Sequence, residues 1–290
     1  MSTSYSKVGK SYVMVTAFIS TGIIFLIVAV LLMNSWSAIT QVGWQLLTLK
    51  WNPAAGEYGI LSMLYGSFTV TFCALVIALP LGLLSAIFVS EVLPGRYRFY
   101  VKSLLELLAG IPSIIYGLLG VAFLSVWIGH LFDLQSGRTI LSAGILLAVM
   151  IMPTIITLSD DALQNVPNKY REAANGLGLT KYEVLKSAVL PIAKADIIGA
   201  CLLALGRALG KTMAVMLVIG GIDRIPSPFF NVLNPGQTIT SKLGREISET
   251  AFGSVHFSAM ILMGMILLVV VLILTVVAQH CFNPEHRLYE

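Results

Sequence analysis

Residues 172–191 read EAANGLGLTKYEVLKSAVLP. This polar stretch lies between long apolar runs, and its local signals predict a helical hairpin. The enclosing segment, 159–196, supplies the starts and stops. Pro167 suits a first helical position, where a missing N–H costs nothing. KYREAAN is built of good helix formers, and Gly176 and Gly178 end it, because glycine accepts the positive φ of a helix C-terminus. Thr180 and Glu183 form a capping-box pattern that starts a second short helix. Leu190-Pro191 is expected to stop that helix, since the residue before proline is pushed out of the α region. Tyr182, Leu185 and Val189 recur at i, i+3 and i+7 and give it an apolar stripe. Such a pair can read DNA, lie on lipid or dock a soluble partner. DNA is disfavoured by tethering at both ends and by the lack of groove-directed basic residues. Composition leaves lipid and partner open.

Six apolar runs flank this hairpin, at about 12–33, 64–90, 107–128, 139–158, 197–220 and 257–280. Each reaches the roughly 20 residues needed to cross about 30 Å of hydrocarbon. Pro80, Pro112 and Pro153 fall inside runs, which is tolerable where neighbouring helices satisfy the freed backbone groups. Of the 290 residues, 57% are hydrophobic and 11% charged, and the mean hydropathy is +0.88. A soluble domain of that composition lacks the polar groups to cover its surface. The sequence therefore predicts an all-α integral membrane protein with a single transmembrane domain, 1–290. Lys7 and Lys10 precede the first run, which is longer than a signal-peptide core and has no small-residue cleavage site after it. It is expected to remain as an uncleaved span.

Basic residues orient the spans. With the N-terminus inside, the inner segments hold eleven Lys and Arg and the outer ones five, namely Lys50, Arg138, Arg224, Lys242 and Arg245. Both termini and the loop 159–196 are thus expected in the cytoplasm, and the long loop 221–256 outside. The net charge of +4 is spread along the chain, with no basic block suited to nucleic acid. Cys73, Cys201 and Cys281 show neither disulfide nor zinc spacing. The four histidines are scattered, with no HExxH, which argues against a metalloenzyme, and no metal site is expected.

The fifth run contains GRALGKTMAV, residues 206–215. Arg or Lys at a span centre costs about 2.5–3.5 kcal/mol each, so such residues face a bundle interior or an aqueous cavity. Arg207 and Lys211 stand at i and i+4, on one face of a continuous helix. Two like charges there need a counter-ion, either a carboxylate or an anion in transit. Among the chain's carboxylates Glu106 is the best candidate, since it opens the third run near the inner face. Ala200, Ala204 and Ala208 form one small-residue row and Gly206 and Gly210 another, which predicts close helix approach.

The opening stretch resembles the cytoplasmic loop of the ATP-binding-cassette importer permeases, EAA-x3-G-x9-I-x-LP. Glu172, Ala173, Ala174, Gly178, Leu190 and Pro191 stand at the matching distances, and Ala188 replaces the usual Ile. GRALGKTMAV is similar to the GRALGETMAV run of the Pst-type phosphate permeases, in their PstC-like branch. Trp51-x-Pro53 with Tyr58-Gly59, LPLGLLSAIFVSE (79–91), ELLAGIPSIIYGLLG (106–120) and NPGQTITSKLGREI (234–247) resemble other segments of that branch. Lys211 departs from it, standing where the branch has Glu.

The resemblance implies the type I importer permease fold of six spans in the cell inner membrane. It also implies binding-protein-dependent phosphate transport. The implied partners are a second homologous permease, two ATPase subunits and a periplasmic or extracellular phosphate-binding protein. Residues 172–191 would couple to the ATPases, and Arg207, Lys211, Glu106, Ser113 and Tyr116 would lie along the translocation pathway. ATP and Mg would be used by the partner ATPase. This chain has no GxxxxGK[ST] loop, so no cofactor is expected in it. A permease for sulfate, molybdate or tungstate, and a self-sufficient anion channel or secondary carrier, are the alternative readings.

Overall fold

The structure, a computed structural model, describes residues 2–282, with side chains from residue 9 to residue 277. Lys7, Arg287 and Cys281 fall outside the described side chains. Among the described residues, six helices are long and apolar enough to cross a membrane, at Gly9–Gln41, Leu61–Val92, Ser113–Leu131, Ile140–Gln164, Lys181–Leu209 and Val255–Val277.

α1 (Ser2–Gln41) packs along α12 (Val255–Phe282) at the edge of the bundle. A small hairpin follows, β1 (Trp51–Asn52) paired with β2 (Glu57–Tyr58), and Gly56 closes its turn at φ +73°. α2 (Leu61–Ile87) runs on into a π turn, Phe88–Val92. α3 (Gly95–Gly110) precedes α4 (Ser113–Leu119), which continues through a second π segment, Gly120–Ser125, into α5 (Val126–Leu131). α6 (Ile140–Gln164) is the central helix. The hairpin helices are α7 (Asn168–Gly176) and α8 (Lys181–Val184). α9 (Leu190–Leu209), α10 (Met213–Val218) and α11 (Ile239–Glu246) complete the bundle with α12.

The core rests on small residues, as expected where lipid removes any hydrophobic drive between helices and close packing must replace it. Along α2 the buried residues Gly66, Val70, Ala74, Ala78, Gly82 and Ala86 recur every fourth position and form one row. From Val70 to Gly82 that row lies against α6, where a Cβ at Gly82 would come within 2.8 Å of Ile155 Cγ2, and one at Gly144 within 2.7 Å of Cys73 Cβ. Ala204 and Ala208 of α9 join the same core. Gly206 and Gly210 do not. They line a groove of about 550 Å³ along α12, and a Cβ at Gly206 would find only Val271, at 3.9 Å. Among the described residues no helix closes on that row.

Three boundaries differ from the sequence expectation. The third run does not form one span from 107, because Ile111 before Pro112 is extended (φ −63°, ψ 129°) and separates α3 from α4. The fifth run breaks at Gly210–Thr212, between α9 and α10. Leu190-Pro191 does not stop a helix. Leu190 is helical, and a π turn at Leu185–Val189 runs directly into α9. The wider turn adds a residue ahead of Pro191, which has no N–H to donate.

The loop 221–256 is not a simple outer connector. Gln237, Thr238, Thr240, Ser241 and Lys242 are buried. The segment re-enters the bundle and is strapped to it by Ile140 N–H to Asn234 O (3.1 Å), Leu141 N–H to Val232 O (2.8 Å) and Ile239 N–H to Ser67 Oγ (3.0 Å). Gly66 permits the contact, since a Cβ there would overlap the carbonyl oxygen of Gln237.

Candidate functional site

Three regions carry charge into the apolar bundle. The first is centred on Arg207, near the end of α9. Its Nη1 donates to Thr154 Oγ1 at 2.9 Å, and Thr154 is the fifteenth of the 25 residues of α6. The guanidinium is thus held beside the middle of the central helix. No carboxylate pairs with it among the described residues. Arg207 is exposed on the surface of the single chain, and one bond to Thr154 leaves most of its five N–H donors free.

The other expected pathway residues are placed differently. Lys211 does not share a helix face with Arg207, because α9 ends at Leu209 and Lys211 lies in the break. Its carbonyl is met by Thr240 Oγ1 at 3.5 Å, and it lines a void of about 10 Å³ with Ser67, Thr71, Thr238 and Thr240. Glu106 is exposed on α3, outside the span it was expected to open, and makes no ion pair with Arg207. Tyr116 donates its hydroxyl to Leu108 O at 2.9 Å and so bridges the α3–α4 break. Ser113 is the first residue of α4. Gly117 of the same stretch lets α10 approach, since a Cβ there would be 2.7 Å from Leu217 Cδ1.

The second region is the hairpin end of the bundle. α7 ends at Gly176, and Gly178 takes φ +77°. Thr180 and Glu183 form the reciprocal capping box, with Thr180 N–H to Glu183 Oε2 at 2.8 Å and Glu183 N–H to Thr180 Oγ1 at 3.4 Å. Ala174 is buried with Leu163, Val166, Val184, Val189 and Ala193, and Leu190 packs against that cluster. Tyr182 is exposed, so it leaves the stripe expected of it, and Val184 takes its place. The π turn between Tyr182 and Val189 adds a residue and rotates the two onto different faces. Glu172, Ala173 and Gly178 face outward, and Leu177 between the helices is 81% exposed. This apolar tip stands away from its own chain.

Sequence reasoning missed the ionic network beneath this tip. Asp160 on α6 is fully buried, with Lys102 Nζ at 2.6 Å and Arg98 Nη2 at 3.4 Å. Lys102 also reaches Asp161 at 2.7 Å. Burial alone would lower the Lys102 pKa, but hydrogen bonds and charge from Asp160 and Asp161 outweigh it and raise the value. Arg171 on α7 pairs with Glu91 at 2.8 Å and donates to Leu163 O at 2.9 Å. A carboxylate near the end of an apolar run was the only available signal for Asp160, and its partners lie about 60 positions away.

A third cluster lies in the re-entrant segment. Lys242, 4% exposed, pairs with both Asp223 and Glu246. Trp51 Nε1 donates to Glu246 at 3.2 Å, and His256 Nε2 lies 3.4 Å from it. Arg245 nearby donates to Met216 O at 2.5 Å. Its pKa is lowered by burial and by the Arg138 charge, against the raising influence of Asp223 and Glu246.

Comparison with known proteins agrees with this architecture. A family model described as "Binding-protein-dependent transport system inner membrane component" matches residues 78–285. A phosphate transport system permease protein PstC of Mesorhizobium japonicum is 35% identical over 267 residues, covering 85% of this chain and 80% of that one. The probable ABC transporter permease protein YqgH of Bacillus subtilis is 36% identical, covering 77% and 72%. Among solved structures, a bacterial ABC transporter involved in import of the acidic polysaccharide alginate aligns with a TM-score of 0.62 at 17% identity, over 96% of this chain and 98% of that one. The inward-facing MetNI methionine ABC transporter aligns at 0.57 and 16%, over 83% and 96%. The helices adopt the type I ABC importer permease fold, and the chain belongs to the family of binding-protein-dependent transport system inner membrane components.

Proposed function

We propose that this chain is the membrane subunit of an ATP-driven phosphate importer of the inner membrane. The observation that carries the reading is Arg207, a guanidinium beside the middle of α6 with one hydroxyl partner and no carboxylate among the described residues. An arginine at that depth does not face lipid without a cost of about 2.5–3.5 kcal/mol. Its exposed face therefore belongs against a second permease subunit or along an aqueous anion route. Relatives named as phosphate permeases support phosphate as the anion.

In this reading both termini and the α7–α8 hairpin are cytoplasmic. The Leu177 tip, with Glu172 and Ala173 beside it, docks on one of two ATPase subunits, which hold ATP and Mg. A phosphate-binding protein docks on the opposite face, where Phe229, Phe230 and Phe252 are exposed. ATP binding closes the ATPase pair and moves the hairpin. Phosphate passes Arg207, whose free donors offset its charge as it leaves water.

The test is reconstitution of the chain with its co-purifying partners in vesicles. ATP is expected to drive uptake of labelled phosphate, with little competition from sulfate, molybdate or tungstate. Arg207→Ala is expected to abolish uptake with assembly retained. Normal uptake by that variant removes Arg207 from the pathway. Transport by the purified chain alone identifies a self-sufficient carrier instead.

A further inference from the structure

The π turn Phe88–Val92 at the end of α2 is held from two sides by arginines. Arg98 of α3 donates Nε to Val89 O at 3.0 Å and Nη2 to Ser90 O. These are carbonyls at a helix C-terminus, where partners for the last turn run out. One residue on, Glu91 takes Arg171 of α7 at 2.8 Å. The same guanidinium donates its other branch to Leu163 O of α6, at 2.9 Å. One planar fork on the hairpin thus touches two spans at once.

The rest of the α7 attachment is sparse. Ala174 is its one buried residue, and the helix otherwise packs on α8 and the Leu185–Val189 turn. Arg171 and Ala174 are three residues apart, on one helix face. Arg171 and Glu91 are each about one-fifth exposed. Such a pair can slide or re-form without leaving a fully buried charge, unlike Asp160 below it. π turns carry an extra residue and often mark places where a helix changes register. α2, in turn, packs Val70, Ala74, Ala78 and Gly82 into the core it shares with α6 and α9, the two helices that carry Thr154 and Arg207.

We infer that the Arg171–Glu91 pair is the strut through which displacement of α7 reaches the π turn of α2, and so sets whether ATP hydrolysis moves substrate. Both are positioning residues, which act through α2 and touch neither substrate nor nucleotide. The inference rests on the importer reading above.

The experiment uses the reconstituted complex and measures ATP hydrolysis and phosphate uptake in the same vesicles. Glu91→Gln, Arg171→Met and the double variant are compared with wild type. Each is expected to retain hydrolysis within about twofold while phosphate imported per ATP falls at least about tenfold, with the double variant no worse than the worse single one. Arg171→Lys, which keeps the ion pair but not the fork, is expected to recover part of the ratio. Co-purified ATPase and the thermal midpoint are expected to match wild type. The strut is overturned if uptake and hydrolysis fall in proportion, if ATPase is lost from the complex, or if the two single effects add. Failure of the wild-type complex to couple ATP to phosphate uptake overturns the importer reading itself, a result separate from any of these.

Discussion

Replacing Asp160 by Asn removes one charge from the most deeply buried ionic group at the hairpin end and keeps its shape. Removing one member of a buried pair costs about 3–5 kcal/mol when the partner stays desolvated. Here the partners are not fully desolvated, as Arg98 and Lys102 are 22% and 27% exposed. Lys102 also keeps Asp161. Discounting for both gives about 2 kcal/mol for Asp160→Asn, or roughly a 30-fold fall in the folded-to-unfolded ratio. Asp161, 56% exposed, is the internal control, and Asp161→Asn is expected to cost less than about 1 kcal/mol. Reversible unfolding in mixed micelles, titrated with a denaturing detergent and followed by tryptophan fluorescence, measures both. If the two variants agree within about 0.5 kcal/mol, burial of Asp160 does not set the strength of the network.

Two further predictions concern the re-entrant segment. Gly66→Ala places a methyl on the Gln237 carbonyl and is expected to cost about 1–3 kcal/mol, read as a lowered thermal midpoint with protease sensitivity appearing within 236–246. Lys242→Met leaves Asp223 and Glu246 without their shared cation and is expected to cost about 3 kcal/mol in the same unfolding assay, whereas Lys242→Arg is expected to recover part of that loss.

Elements set by local chemistry were legible in the sequence. The six spans follow from apolar length. The α7–α8 hairpin follows from Gly178 and the Thr180–Glu183 box, whose geometry is met atom for atom. Arg207 was legible as a charge needing a partner. Its actual partner, Thr154, was not, because a hydroxyl on another helix leaves no mark on the sequence around Arg207. Pro112 did carry the signal for the α3–α4 break, yet the apolar run through it concealed the boundary. Pro191 carried the same signal and misled, since the π turn before it keeps the helix continuous. The burial of 237–242 was illegible for a different reason. Its residues are hydroxyl, amide and lysine side chains, which read as solvent-facing until Ser67, Asp223 and Glu246 are known to meet them.

The exposure of Arg207 bears on how such a chain is made. A copy released into the bilayer without its neighbour shows a guanidinium where hydrocarbon should touch. It also leaves the glycine-lined groove along α12 uncovered. Both features involve α9, the helix that follows directly from the α8 hairpin helix. An orphan copy would therefore carry the cost of a charge in hydrocarbon on the same helix whose glycine row is left unfilled.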